Sequence, residues 1–107
     1  MANFYIKAGD TDPDMVAILK DPNGAAYDLT SASVMLHMSR KNRVKINSEA
    51  TVTDSASGTV TYSWAVGDTD LAGPWDIEWQ ITWADTGEVV TVPNDGHDTV
   101  EITKQLA

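Results

Sequence analysis

The chain has 107 residues, and 16 acidic residues against seven basic ones give it a formal net charge of −9. This length suits one domain with its own core, and the charge opposes binding to nucleic acid or to anionic membranes. The chain has no cysteine, which excludes disulfides, thiolate catalysis and zinc–thiolate sites.

The amino terminus and the hydropathy pattern predict neither export nor membrane insertion. Residues 1–7 read M-A-N-F-Y-I-K and lack the basic segment and apolar run of a signal peptide. No apolar stretch approaches the roughly 20 residues that a membrane helix needs. We therefore expect a protein that is made and used without secretory export and that has no membrane partner.

Short apolar segments between turn residues predict strands in the first third of the chain. Phe4–Lys7 is a short strand that ends before Pro13, which cannot donate a ladder hydrogen bond. Met15–Lys20 is apolar at both parities, as in a strand covered on both faces or in a short helix. Its length and the following turn around Pro22 favour the strand. Tyr27–Leu29 is expected to extend the return arm of this hairpin.

Alternating segments continue through the middle of the chain. Ser33–Ser39 is predicted to be a strand, and the basic run Arg40–Lys45 a turn or loop that leads into an edge strand at residues 45–47. Thr51–Thr53 predicts a further short strand. Thr59–Trp64 alternates apolar and polar residues, which indicates a half-buried strand.

The strongest pattern in the chain is P-W-D-I-E-W-Q-I-T-W, at Pro74–Trp83. Side chains of a strand alternate between its two faces, so this segment directs five large apolar groups to one face. It predicts a central strand about 30 Å long at roughly 3.3 Å per residue. Glu88–Val92 and Thr99–Thr103 are the last two predicted strands.

Turn residues recur along the whole chain, and no segment has a helical period. This spacing is typical of an antiparallel sandwich or barrel. We expect one domain over residues 1–107, an all-β immunoglobulin-like antiparallel β-sandwich of about 7–9 strands with no significant helix. The predicted core comprises Trp75, Ile77, Trp79, Ile81, Trp83, Val60 and Tyr62.

The tryptophan-rich face has two interpretations. Exposed tryptophans on a flat sheet can stack on sugar rings, whereas buried ones face a second sheet across a core. The isoleucines between them favour the core, because a sugar platform does not need them. Trp64 and Trp83, at strand ends, are the candidates for partial exposure and for contact with a host-surface glycan.

Two acidic segments have some features of metal sites. Asp10, Asp12, Asp14 and Asp21 have spacings that resemble a calcium-binding loop. The sixth position is Met15 where such a loop needs glycine, and the last ligand is the shorter aspartate, so turn capping is favoured. Asn94, Asp95 and Asp98 around His97 form a similar polar segment, for which metal binding is likewise disfavoured. We expect no metal and no cofactor.

No residue set in the sequence predicts catalysis. The two histidines, His37 and His97, have no nucleophile and orienting carboxylate brought to them by the sequence. Asp76 and Glu78 share the polar face of one predicted strand, which does not by itself indicate an acid–base pair. We therefore expect a protein that is not an enzyme.

The basic run is the candidate partner-binding site: Arg40, Lys41, Arg43 and Lys45 are four of the seven basic residues. One interpretation is a solvated turn whose charges protect a sheet edge from aggregation. The other is docking onto an acidic partner, including another copy of the same domain, because complementary charge steers such contacts. Nucleic acid is disfavoured, since no aromatic residues interleave the run.

An ordered series of turn and strand motifs spans nearly the whole chain. Its members are Ile6–Thr11, Ile18–Gly24, Tyr27–Ala32 with Val34–Met38, Ser57–Val60 with Tyr62, Ala72–Trp75 and Gly87–Gly96. In this order they resemble the N-terminal immunoglobulin-like domain of tailed-phage baseplate upper proteins and similar small domains of phage minor tail proteins.

The resemblance implies a structural module of a bacteriophage virion, assembled in the host cytoplasm, whose partners are other virion proteins. Larger family members continue into further domains, whereas this chain is expected to stop about where the sandwich ends. An accessory subunit of the tail, or a neck or capsid decoration protein, is therefore an alternative. A carbohydrate-binding or adhesin module is the other alternative, and further copies of the chain are candidate partners.

Overall fold

The computed structural model describes residues 3–41, 43–93 and 96–106, which form eight β-strands and contain no helix. Within these ranges, therefore, no helix is long and apolar enough to cross a membrane. The strands are β1 (Asn3–Lys7), β2 (Met15–Ile18), β3 (Ala32–Arg40), β4 (Arg43–Asp54), β5 (Thr59–Tyr62), β6 (Gly73–Trp83), β7 (Val89–Val92) and β8 (Asp98–Thr103). The expected all-β fold class is confirmed. Asn94 and Asp95, part of a predicted turn and of the polar segment around His97, lie outside the described residues.

The strands follow the order β1-β8-β6-β3-β4-β5-β2, and β7 pairs with β6. The long strand β4 connects two sheets, because residues 43–50 pair with β3 and residues 51–54 pair with β5. All pairs are antiparallel except β1 and β8, which run parallel. The sheet is therefore not fully antiparallel, since the first and last of these strands lie side by side in the same direction.

Strand β6 supplies the centre of the core, as its alternation predicts. Trp75, Ile77, Trp79 and Ile81 are all buried. The last three of these face the fully buried apolar residues of β3 across the antiparallel register. Val60 and Tyr62 of β5 are buried as well. Trp83, at the end of β6, is only partly buried and packs against this core from its rim.

Hydrogen bonds and ring contacts hold the segment after Tyr62. The alternation of apolar and polar residues in the sequence does not predict them. Trp64 lies beyond the end of β5 yet is 5% exposed, in ring contact with Phe4 and Tyr62. The hydroxyl of Tyr62 donates to Asp68 at 2.7 Å, and burial together with this hydrogen bond raises the pKa of the phenol. Buried Thr69 donates to the carbonyl of Asp10 at 2.7 Å. These bonds fix the crossover into β6.

Two predicted elements differ from the structure near the hairpins. The strands expected at residues 45–47 and 51–53 are one continuous strand, β4, whose pairing changes from β3 to β5 between Ala50 and Thr51. Residues 27–29 form no strand, and the return arm of the hairpin ends at Tyr27, whose N–H donates to the carbonyl of Leu19 at 2.9 Å. Asp28 accepts hydrogen bonds from the backbone and hydroxyl of Thr30, and this local turn competes with extension of the hairpin.

The expectation that β2 is covered on both faces is wrong. Met15 and Leu19 are buried, but Val16 is 61% exposed and Ile18 is 54% exposed. The reason is that β2 belongs to the three-stranded side of the sandwich, where only one face meets the core. Strand β2 also ends the strand order, so one of its edges has no partner among the described strands.

Candidate docking surfaces

The four residues of the predicted basic site are divided between two kinds of environment. Arg40 is half-buried, its guanidinium lies 4.1 Å from the ring centroid of Trp75, and its Nη1 donates to the carbonyl of Ala72 at 3.0 Å. Gly73 leaves the space that this side chain occupies, because a Cβ there would overlap the guanidinium. Arg40 is therefore committed to packing within the chain.

Lys45 is also committed to a contact within the chain. Its ammonium lies 2.8 Å from Oδ1 of Asp70, which is on the crossover before β6. This hydrogen bond lowers the pKa of Asp70 from its usual 3.8. The contact joins β4 to the crossover and leaves Lys45 less available to a partner.

Lys41 and Arg43 remain exposed at the tip of the β3–β4 hairpin. Beside them, Val44 is 71% exposed and Leu71 is 51% exposed. A shallow depression of about 390 Å³ lies against this group, lined in part by Arg43, Val44 and Leu71. We call Lys41, Arg43, Val44 and Leu71 the hairpin rim. It combines exposed apolar area with two cations that form no ion pair with the residues that the structure describes.

A second surface lies at the opposite end of β3 and β6, where Ala32 pairs with Trp83. The rings of Tyr27 and Trp83 are 5.7 Å apart, and Nε1 of Trp83 donates to the carbonyl of Asp28 at 3.0 Å. A groove of about 690 Å³ runs past both rings, and its lining includes Asp28, Asp85 and Glu88. Hydrogen bonds from Thr30 lower the pKa of Asp28 from 3.8. We call this the aromatic groove.

The histidines lie apart from these two surfaces. His37 is on the outward face of β3, where its cross-strand neighbours are Asn47 and Glu78. Nδ1 of His97 lies 3.3 Å from Oδ1 of Asp76 and 3.2 Å from the carbonyl oxygen of Asp98. These contacts attach His97 to the start of β6 and β8.

The acidic residues with calcium-like spacing do not form one cluster. Oδ1 of Asp21 accepts the backbone N–H groups of Asn23 and Ala25, so this carboxylate caps the turn after β2. Oδ1 of Asp10 instead lies 3.4 Å from the amide nitrogen of Gln105. In the described part of the chain no three acidic or histidine side chains are grouped to hold a metal ion.

These surfaces are carried by a β-sandwich whose architecture recurs in solved structures of other proteins. The N-terminal domain of phage TP901-1 ORF48 matches with a TM-score of 0.63 at 10% identity, over 97% of this chain and 85% of that chain. CopC from Methylosinus trichosporium OB3b matches with a TM-score of 0.56 at 10% identity, over 100% of this chain and 89% of that chain. No family model matches the sequence, and a search of curated proteins gives no match.

At 10% identity these likenesses establish the fold alone. One of the two neighbours is nevertheless a domain of a phage protein, and an N-terminal one. The resemblance that the ordered motifs indicate is thus supported at the level of the fold. Neither likeness assigns a role to an individual residue.

Proposed function

We propose that the chain is a non-enzymatic structural component of a bacteriophage virion, at the tail or baseplate or as an accessory subunit, and that it acts by docking onto other virion proteins. The observation that supports this most directly is the fold shared with the N-terminal domain of phage TP901-1 ORF48 over 97% of the chain. The ordered motifs of the sequence favour the same class independently of the fold.

The hairpin rim is the surface that we assign to docking. Arg43 and Lys41 have no ion-pair partner among the described residues, whereas Lys45 has one. Arginine is enriched in protein interfaces, and the buried centres of interfaces are apolar. A bound partner would bury Val44 and Leu71 in such a centre. An acidic partner surface would be steered to this tip by its positive charge.

The test uses particles produced by cells that carry the gene of this chain. Mass spectrometry of purified particles is expected to detect the chain, and cryo-electron microscopy to place it at the tail, baseplate, neck or capsid. Absence of the unaltered chain from purified particles overturns the proposed function. The Lys41→Glu/Arg43→Glu variant is expected to fold normally and to be lost from particles.

Lys7→Glu/Lys104→Glu is the matched control, because it makes the same change in net charge at two other exposed lysines. It is expected to enter particles as the unaltered chain does. Equal incorporation of both variants would remove the hairpin rim from the docking surface without removing the chain from the virion.

The aromatic groove favours one second candidate function, carbohydrate binding. A partly exposed indole held by its own hydrogen bond offers a flat apolar face to a sugar ring, and the groove carboxylates can accept bonds from hydroxyl groups. A glycan array followed by fluorescence titration tests it. Loss of glycan binding in Trp83→Ala supports this function. If the unaltered chain binds no glycan on the array, carbohydrate binding is excluded.

A further inference from the structure

The free edge of β2 is the least protected feature of the sandwich. Strand β2 pairs with β5 on one side and ends the strand order on the other. A groove of about 560 Å³ runs beside it, lined by residues 16–20 and, across the opening, by Trp79, Val92 and Pro93. The sandwich is therefore open here, and an added strand would have apolar surface to cover.

The backbone of β2 directs alternate hydrogen-bonding groups to this edge. The N–H of Leu19 donates to the carbonyl of Gly58 at 2.8 Å, on the β5 side of the strand. Backbone groups alternate between the two sides of a strand in an antiparallel ladder, so those of Val16 and Ile18 point away from β5. No described strand lies on that side to receive them.

The sequence of this edge is complementary to itself. It reads D-M-V-A-I-L-K from Asp14 to Lys20, and Ala17 is its centre. Reversed about that centre, Asp14 meets Lys20 and Val16 meets Ile18. Asp14 and Lys20 are exposed, and neither forms an ion pair with the described residues. Val16 and Ile18 are the exposed apolar residues of the same outward face.

We propose that β2 is a homotypic interface, in which β2 of a second copy pairs with it antiparallel about a two-fold axis at Ala17. Val16 of each copy then lies opposite Ile18 of the other, and both carry outward-pointing backbone groups, as a hydrogen-bonded pair requires. Asp14 lies opposite Lys20 at each end of the shared ladder. The two three-stranded sheets become one six-stranded sheet.

This inference deepens the proposed docking function, on which it rests for its place in a particle, by naming a second copy as one partner. The contact is small, and the two copies repel through a charge of −9 each. The dimer is therefore weak in dilute solution. Copies held side by side in an assembly gain the effective concentration that closes such a contact.

Charge exchange at the two ends of the edge tests the pairing. Asp14→Lys and Lys20→Asp each place like charges opposite one another at both ends, so each variant alone is expected to be monomeric. An equimolar mixture of the two is expected to form a heterodimer, and the double variant Asp14→Lys/Lys20→Asp to dimerise again. Sedimentation velocity over a range of concentrations, at about 0.15 M salt where the Debye length is about 8 Å, gives the readout.

Lys7→Asp is the control for the change in net charge made by Lys20→Asp, and it is expected to leave dimerisation unchanged. Val16→Pro removes one N–H on the free edge and none on the β5 side, so the chain is expected to fold and to remain monomeric. Val16→Thr keeps that N–H and is expected to dimerise. Circular dichroism checks the fold of each variant.

Three outcomes would overturn the pairing. The first is that the unaltered chain stays monomeric at every concentration, and the second is that the mixture of single variants does not associate. The third is that Val16→Pro dimerises to the same extent as Val16→Thr. If any of these occurs while the chain is still found in particles, the docking function stands without this interface. If the chain dimerises as described but is absent from particles, the proposed interface stands and the proposed virion role is wrong.

Discussion

The guanidinium of Arg40 lies over the indole of Trp75, 4.1 Å from the ring centroid, and donates a hydrogen bond to the carbonyl of Ala72 at 3.0 Å. The indole N–H of Trp75 in turn donates to the carbonyl of Leu71 at 3.1 Å. The end of the crossover is therefore fixed by two neighbouring bonds. Arg40, one of the predicted partner-binding residues, thus also closes one end of the core.

Removal of the Arg40 side chain is expected to destabilise the fold. Arg40→Ala loses the cation–π contact and the hydrogen bond to Ala72, and should lower the free energy of unfolding by about 1–2 kcal/mol. Arg40→Lys keeps the charge but not the planar fork, so its loss should be smaller. Urea denaturation measures both, with Lys41→Ala as the exposed control. An unchanged stability of Arg40→Ala would contradict the packing role.

Gly73 and Arg40 are expected to be energetically coupled. Gly73 has a φ of 129° and would place a Cβ against the guanidinium, so Gly73→Ala should displace Arg40 as well as strain the backbone. In the Arg40→Ala background only the backbone strain remains. A double-mutant cycle by urea denaturation should therefore give a loss smaller than the sum of the single losses. Additive losses would mean that the side chain moves aside freely.

The bond between Tyr62 and Asp68 predicts a pH dependence on the alkaline side. Burial and this bond raise the pKa of Tyr62 in the folded state, whereas the unfolded chain keeps the ordinary value of 10.0. The contribution of Tyr62 is thus complete below pH 10.0 and is lost as the pH rises further, because only the unfolded state ionises there.

Thermal unfolding of Tyr62→Phe checks this expectation. The variant should lose about 1 kcal/mol at neutral pH, because Asp68 loses a donor. Its melting temperature should then fall less steeply than that of the unaltered chain above pH 10.0. Parallel curves for the two proteins would show that the phenol ionises equally in both states.

The ion pair of Lys45 and Asp70 predicts a change on the acid side. The hydrogen bond from Lys45 lowers the folded pKa of Asp70 from 3.8, so its contribution is present above the unfolded value and is lost as the pH falls through the folded one. Asp70→Asn should make the melting temperature less dependent on pH below about 4. In a Lys45→Gln background the same substitution should have little effect, since the donor is absent. An equal effect in both backgrounds would assign the shift to another cause.

The strands that could be predicted from sequence are those with one buried face and one solvent-exposed face. The apolar residues of Pro74–Trp83 alternate without interruption, and the alternation of Ser33–Ser39 is nearly as regular, so both strands were placed within one or two residues. The continuity of β4 could not be predicted. Register irregularities near its two ends, at residues 44–46 and 52–54, interrupt the alternation. The change of partner from β3 to β5 between residues 50 and 51 is decided by tertiary contacts.

The surfaces were less predictable than the fold, for a physical reason. Charge in a sequence does not reveal whether a long side chain folds back onto its own protein. Arg40 and Lys45 do so, through Trp75 and Asp70, which lie at least 25 positions away along the chain. The exposure of β2 was missed because an apolar run has the same appearance in a strand covered on both faces and in an exposed edge strand.

The exposure of the four tryptophans gives the last prediction. Trp64, Trp75 and Trp79 are at most 5% exposed, whereas Trp83 is partly exposed in the aromatic groove. Acrylamide should therefore quench only a minor part of the emission, and Trp83→Phe should remove most of that part. Trp83→Phe also keeps a ring against Tyr27, so the fold should survive. Strong quenching that persists in Trp83→Phe would place other indoles in solvent, contradict the buried face of β6 and favour a sugar-binding platform on that strand.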